Sequence, residues 1–126
     1  SHDIEHELSA VYDCAHGAGL AVTMPAVFRY NLNHDVERFA QVANRVWGVP
    51  FDKDHPELTA NEGINRFQNF LKSIGMPSNF AELGAEEKDI EHMAHSCCHG
   101  NGRTGKIGGF VELEQKDVEA IYRLML

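Results

Sequence analysis

The chain has little with which to cross a bilayer, hold a polyanion or staple itself covalently. No apolar run approaches the ~18 residues of a spanning helix, and no signal-peptide pattern is legible. Basic residues are few: 11 Lys and Arg stand against 19 Asp and Glu, a net charge of −8. That balance repels phosphate backbones and anionic lipid, so neither a nucleic acid nor a membrane is expected as a partner. Cysteines number 3, with Cys97 and Cys98 adjacent and Cys14 far away. An odd, paired-up count is no disulfide framework, and a reducing cytoplasm is the expected setting. Runs of alternating strand residues are also lacking, as are a P-loop and, on this reading, a glycine-rich dinucleotide-binding turn. At 126 residues, 43% of them hydrophobic and 24% charged, the chain is one globular domain.

What is present is helical periodicity cut by Gly, Pro and Asn. Ile4, Leu8 and Val11 recur at helical spacing, and that segment should stop near Asp13-Cys14-Ala15. A second helix is expected from about Gly17 to Tyr30, bent by Pro25. Val36, Phe39, Ala40, Ala43, Val46 and Trp47 form an apolar stripe ending at Gly48. Thr59-Ala60-Asn61-Glu62 spells a capping box opening a helix whose inner face is Ile64, Phe67, Phe70, Leu71 and Ile74. Glu86 to about Cys98 and a last segment around Val118, Ile121, Tyr122 and Met125 complete the set. The fold class is all-α, a helical bundle of about six helices. Trp47, Phe67, Phe70 and Phe80 are expected in its core.

Histidine is abundant, at 8 residues. His2 and His6 are i and i+4 and share a helical face. His16 lies fourteen residues beyond His2, a distance of ~21 Å along one straight helix. One ion held by both therefore requires the chain to turn back around Cys14. Imidazole suits divalent iron or zinc. The spacing alone equally fits solvated histidines beside Glu5 and Glu7.

The longer pattern is more specific. His2-Asp3-Ile4-Glu5-His6-Glu7-Leu8-Ser9-Ala10, Tyr12-Asp13 and His16-Gly17-Ala18-Gly19-Leu20-Ala21 closely resemble the C-terminal helical domain of iron-containing alcohol dehydrogenases, the butanol dehydrogenase branch in particular. The likeness continues through Pro25-Ala26, Tyr30, Arg38-Phe39-Ala40, Arg45-Val46-Trp47-Gly48, Ile74 to Pro77, and Lys106-Ile107-Gly108-Gly109-Phe110. It implies that His2 and His16 are metal ligands and that His6 lines the site near the nicotinamide, as a catalytic and cofactor-binding residue. The metal would be Fe2+, with zinc or another divalent ion as an alternative. The cofactor would be NAD or NADP, and the substrates a small primary alcohol and its aldehyde. The family's other two ligands and its dinucleotide-binding domain belong upstream. Residues 1–126 are thus expected to be a C-terminal all-α metal-binding domain whose N-terminal partner domain is not in this sequence, from an enzyme expected to be a homo-oligomer.

Cys97, Asn101 and Arg103 are similar to a stretch in which a cysteine approaches the cofactor ring, making Cys97 a candidate cofactor contact. His92, His95 and His99 fall at i, i+3 and i+7 on one face and form a second candidate cluster, read equally as histidines favoured by a helix C-terminus. The rival function is a non-catalytic helical module that binds metal or a protein partner. Alone, the chain should lack dehydrogenase activity. Leu8, Val11, Leu20, Val22, Met24 and Val27 cover wide arcs of the first two helices and should leave apolar surface bare, favouring self-association.

Overall fold

The computed structural model describes residues 1–108 and 111–126. Gly109, Phe110 and the side chain of Asn101, all part of the family likeness, lie outside the described residues. Its helices are α1 (His2–Tyr12), α2 (His16–Asn31), α3 (Val36–Trp47), α4 (Pro56–Ser73), α5 (Phe80–Leu83), α6 (Ile90–His99) and α7 (Gln115–Arg123). The seventh, α5, is one turn long and too short to show a period. Asn79 caps it by accepting from the Glu82 amide at 2.9 Å, and the Phe80 N–H donates to the Met125 carbonyl at 2.8 Å. A hairpin of β1 (Lys106–Ile107) and β2 (Leu113–Glu114), pairing Lys106 with Glu114 and Ile107 with Leu113, departs from the strand-free expectation. Among the described residues, no helix is long and apolar enough to cross a membrane.

The α1–α2 reversal falls where the residues permit it. Asp13 ends α1 in the left-handed region (φ 52°) and donates its N–H to the Ser9 carbonyl. Asp tolerates this conformation better than most side chains do. Ala15 is extended, and His16 opens α2. α2 then runs unbroken through Pro25 to Asn31, burying Ala21, Val22, Pro25, Ala26 and Val27.

The main core gathers Ile4 and Leu8 of α1, Val22 and Ala26 of α2, Phe80, Ile90, Met93 and Cys97 of the later turns, and Val118, Ile121 and Tyr122 of α7. Tyr122 is fully buried and donates its hydroxyl to the Ile4 carbonyl at 2.6 Å, fastening the first helix to the last. A second, smaller cluster joins Leu32, Ala40, Ala60 and Ile64, where α3 and α4 pack as a hairpin.

Three expectations are corrected here. Thr59 does not open α4: Pro56, with φ already set for a helix, starts it three residues earlier. The Thr59 hydroxyl instead accepts from the Asp52 amide at 2.9 Å and holds the preceding loop. Phe80 is core, but Phe70 and Ile74 are exposed, and Trp47 and Phe67 are only half-buried around an apolar groove that Phe28, Phe39 and Val42 complete. Of the six side chains expected to leave α1 and α2 bare, Leu8, Val22 and Val27 are covered within the chain and Val11 is exposed; further exposed apolar side chains sit on α3 and α4, at Val42, Val46, Leu58 and Phe70, and at Ile74 just past α4.

The α3–α4 contact is close because Gly63 faces Ala43, and a Cβ at position 63 would overlap that methyl group. Gly63→Ala should cost about 1–3 kcal/mol by overpacking, read as a lowered urea midpoint, whereas the same change at solvent-facing Asn61 should leave the midpoint nearly in place.

Two phenols tie the helices from outside. Tyr12 donates to Asp89 at 2.6 Å and accepts from the Glu86 amide at 3.0 Å; burial first, then the Asp89 carboxylate, push its pKa up to about 12. Tyr30 donates to Asp117 at 2.5 Å, and that bond together with burial raises it to about 12 as well. Both values stand above the ordinary ~10 of an unfolded chain. Their contribution is therefore full below pH ~10 and is lost as pH climbs through ~12, because the unfolded chain loses these protons first. Urea midpoints should fall between pH 10 and 12, and Tyr12→Phe/Tyr30→Phe should flatten that fall.

Candidate metal centre

The reversal at Asp13–Ala15 returns the start of α2 to the start of α1, and three imidazoles meet on one solvent-facing rim. His2 Nδ1 and His16 Nε2 lie 3.2 Å apart, with their rings stacked at a centroid distance of 5.2 Å. The His6 ring, one turn along α1, is 5.6 Å from that of His16. All three are exposed. The two positions that sequence spacing alone would leave ~21 Å apart on a straight helix are thus in contact.

Behind the rim stands Glu5, which the sequence reading treats as surface. Its side chain is fully buried, and one carboxylate oxygen takes a hydrogen bond from His16 Nδ1. The other accepts from the Ser9 hydroxyl at 2.5 Å. With its Nδ1 proton committed to Glu5, a neutral His16 carries a bare Nε2, and His2 Nδ1–H is the donor between the two rings. Glu5 sits beside Ile4 and Leu8 within the inward arc of α1, and that wheel position was the available signal. On the flank, Asp3 is paired with Arg103 at 3.2 Å, and Arg103 also donates to the Cys97 carbonyl at 2.9 Å.

Among the described residues, one group of three or more His, Cys, Asp or Glu has donor atoms within 4.8 Å of one another: Glu5, His6 and His16. That group and the His2–His16 pair give different ligand sets. In the first, both Glu5 oxygens already accept from protein donors and Glu5 has no exposure. Two donors bound at ~2.1 Å to one ion can stand no more than ~4.2 Å apart, and 3.2 Å meets that limit.

Cys97 is fully buried, and burial above all pushes its thiol up to about 12. Cys98 is likewise buried and raised for the same reason. Neither is a ready thiolate. His95 and His99 meet edge to face at 4.6 Å, with His92 exposed on the same helix, but the three do not converge as a ligand set. Contrary to the expectation that no such turn is present, Gly100-Asn101-Gly102-Arg103-Thr104-Gly105 spells G-x-G-x-x-G. It follows a helix and leads into a two-residue strand, the reverse of the strand–turn–helix context that holds a pyrophosphate.

The sequence profile of the Fe-containing alcohol dehydrogenase family, C-terminal part, matches residues 1–126. The chain belongs to this family, and within it forms the C-terminal helical domain. It is 37% identical over 123 residues to NADH-dependent butanol dehydrogenase A of Clostridium acetobutylicum, a match covering 97% of this chain and 31% of that protein. The B enzyme of the same organism is 35% identical over 124 residues, with the same shares. Among solved structures, NADH-dependent butanol dehydrogenase A of Thermotoga maritima superposes with a TM-score of 0.89 at 32% identity, covering 98% of this chain and 32% of that one. The chain spans about a third of the length of the relatives it matches.

A native alkylation assay checks the thiol environments. Only Cys14, which is part-exposed, should react with iodoacetamide in buffer, while all three cysteines should react in denaturant.

Proposed function

We propose that this chain is the metal-holding part of an oxidoreductase that interconverts primary alcohols, of the butanol class, and their aldehydes with NAD or NADP. The observation that carries it is the 3.2 Å approach of His2 Nδ1 to His16 Nε2. In this reading His2 and His16 hold Fe2+, or zinc or another divalent ion. The metal, when bound, supplies Lewis acidity toward the substrate oxygen. The relatives' printed activities and the match over the whole chain support the assignment.

The residues of this chain have separable tasks. His16 presents a bare Nε2, and His2 Nδ1, which donates to it here, becomes the second ligand atom when its proton leaves for the other ring nitrogen or for solvent. His6, exposed one turn above His2, is the residue free to carry the alcohol proton to solvent or to orient the nicotinamide. Cys97 enters as a neutral, buried wall behind Arg103, which reaches its carbonyl. Among the described residues no glycine-rich turn joins a strand to a helix, so in this proposal the dinucleotide is held by an N-terminal domain of the kind implied by the relatives' greater length. The enzyme so composed would act in the cytoplasm as a homo-oligomer on small alcohols and aldehydes.

Anaerobic titration of the 126-residue chain with Fe2+, and separately with Zn2+, tests the site. Binding should be weak, since two protein ligands are fewer than a metal site normally uses, and both His2→Ala and His16→Ala should abolish it. The chain alone should turn over no butanol with NAD or NADP. Tight stoichiometric binding that survives His16→Ala would move the site to His92, His95 and His99 and sink the proposal.

A further inference from the structure

We propose that Glu5, Ser9 and Gly19 form a positioning unit that holds His16 in its metal-binding tautomer and supplies the negative charge the site needs. The proposal rests on the metal reading above and deepens it.

Burial is the first observation. A carboxylate with no exposure is costly to take out of water, and one such pair often gains nothing over well-packed apolar side chains. Stability of the α1–α2 contact therefore gives no reason for a Glu at position 5, where an apolar side chain would continue the Ile4–Leu8 face. Connectivity is the second. One oxygen is bound by Ser9, which turns the carboxylate, and the other by His16 Nδ1. A carboxylate on the far nitrogen of a metal-ligating imidazole fixes its tautomer and raises its basicity.

Space is the third observation. Gly19 lies one turn into α2 directly over the Glu5 side chain, and a Cβ there would overlap the carboxylate itself. The backbone of α2 thus leaves a niche that fits this carboxylate and little more. Electrostatics is the fourth. His2 and His16 are the first residues of α1 and α2, so both donors stand at positive helix ends, which disfavour a cation. Asp3 is engaged by Arg103, so Glu5, in contact with His16, is the carboxylate placed to offset those ends.

Glu5→Ala, Gly19→Ala, Glu5→Ala/Gly19→Ala and His16→Ala, each in the 126-residue chain, separate positioning from packing. Three quantities are read: Zn2+ affinity by competition with a chromogenic chelator, the His16 tautomer by 15N NMR without metal, and the melting temperature. Glu5→Ala should weaken Zn2+ binding 10- to 100-fold and shift His16 toward the Nε2–H form. Gly19→Ala should do the same with Glu5 still present, because its methyl group displaces the carboxylate, and should also lower the melting temperature. The double variant removes the clash, so its melting temperature should recover above that of Gly19→Ala while Zn2+ affinity and tautomer stay altered. Recovery of all three in the double variant would make Glu5 a packing residue and overturn the inference. Loss of binding in His16→Ala but not in Glu5→Ala would overturn it alone. Unchanged binding in both would overturn the metal reading, and this inference with it.

Discussion

The reversal of the chain over Asp13–Ala15 is the constraint on which the histidine rim depends. A continuous helix would carry His16 ~21 Å from His2, and a floppy linker would let the two rings wander. A single left-handed residue, Asp13, and an extended Ala15 place the first turns of α1 and α2 side by side instead. Left-handed geometry costs an L-residue about 1–2 kcal/mol. That cost is offset by the packing of Leu8 and Val22 behind the turn and by the bond from the Asp13 amide to Ser9.

Rigidity of the rim comes from the main core rather than from the rim itself. α1 is held against α6 and α7 through Ile4, Leu8, Met93 and Ile121, and through the Tyr122 bond to the Ile4 carbonyl. Tyr12 adds an outer tie to the start of α6. The α3–α4 hairpin packs on the other end of α2 and contributes no side chain to the rim. Its two helices pack closely on each other at Gly63 and Ala43, while Val42, Val46, Leu58 and Phe70 stay exposed on their outer faces.

Much of this was legible in the residues. Helical periods located α1, α2, α3, α6 and α7, because each has an apolar stripe long enough to repeat. The break at Asp13–Ala15 was legible for the same reason: the period stops there. α5 was not, since four residues contain no period and its formation rests on Asn79 and on a distant carbonyl at Met125. The start of α4 was misplaced because a capping-box spelling at Thr59 competes with Pro56 at a first helical position, and the prolyl ring wins. At the rim, His2 and His16 were marked by pattern, with His6 beside them. Glu5 was missed because a Glu next to a His reads as surface unless the wheel position is weighed. Cys97, marked as a cofactor contact, is enclosed by the core, a burial that its neighbours Met93 and Ala94 already hint at.

The bond between Tyr122 and Ile4 joins residues separated by 118 positions. During synthesis the ribosome adds about 5–20 residues per second, so α1 emerges many seconds before its anchor exists. Through that interval Ile4 and Leu8 have α2 to lean on but neither α6 nor α7. Within this domain the histidine rim is therefore made well before the helix that anchors it.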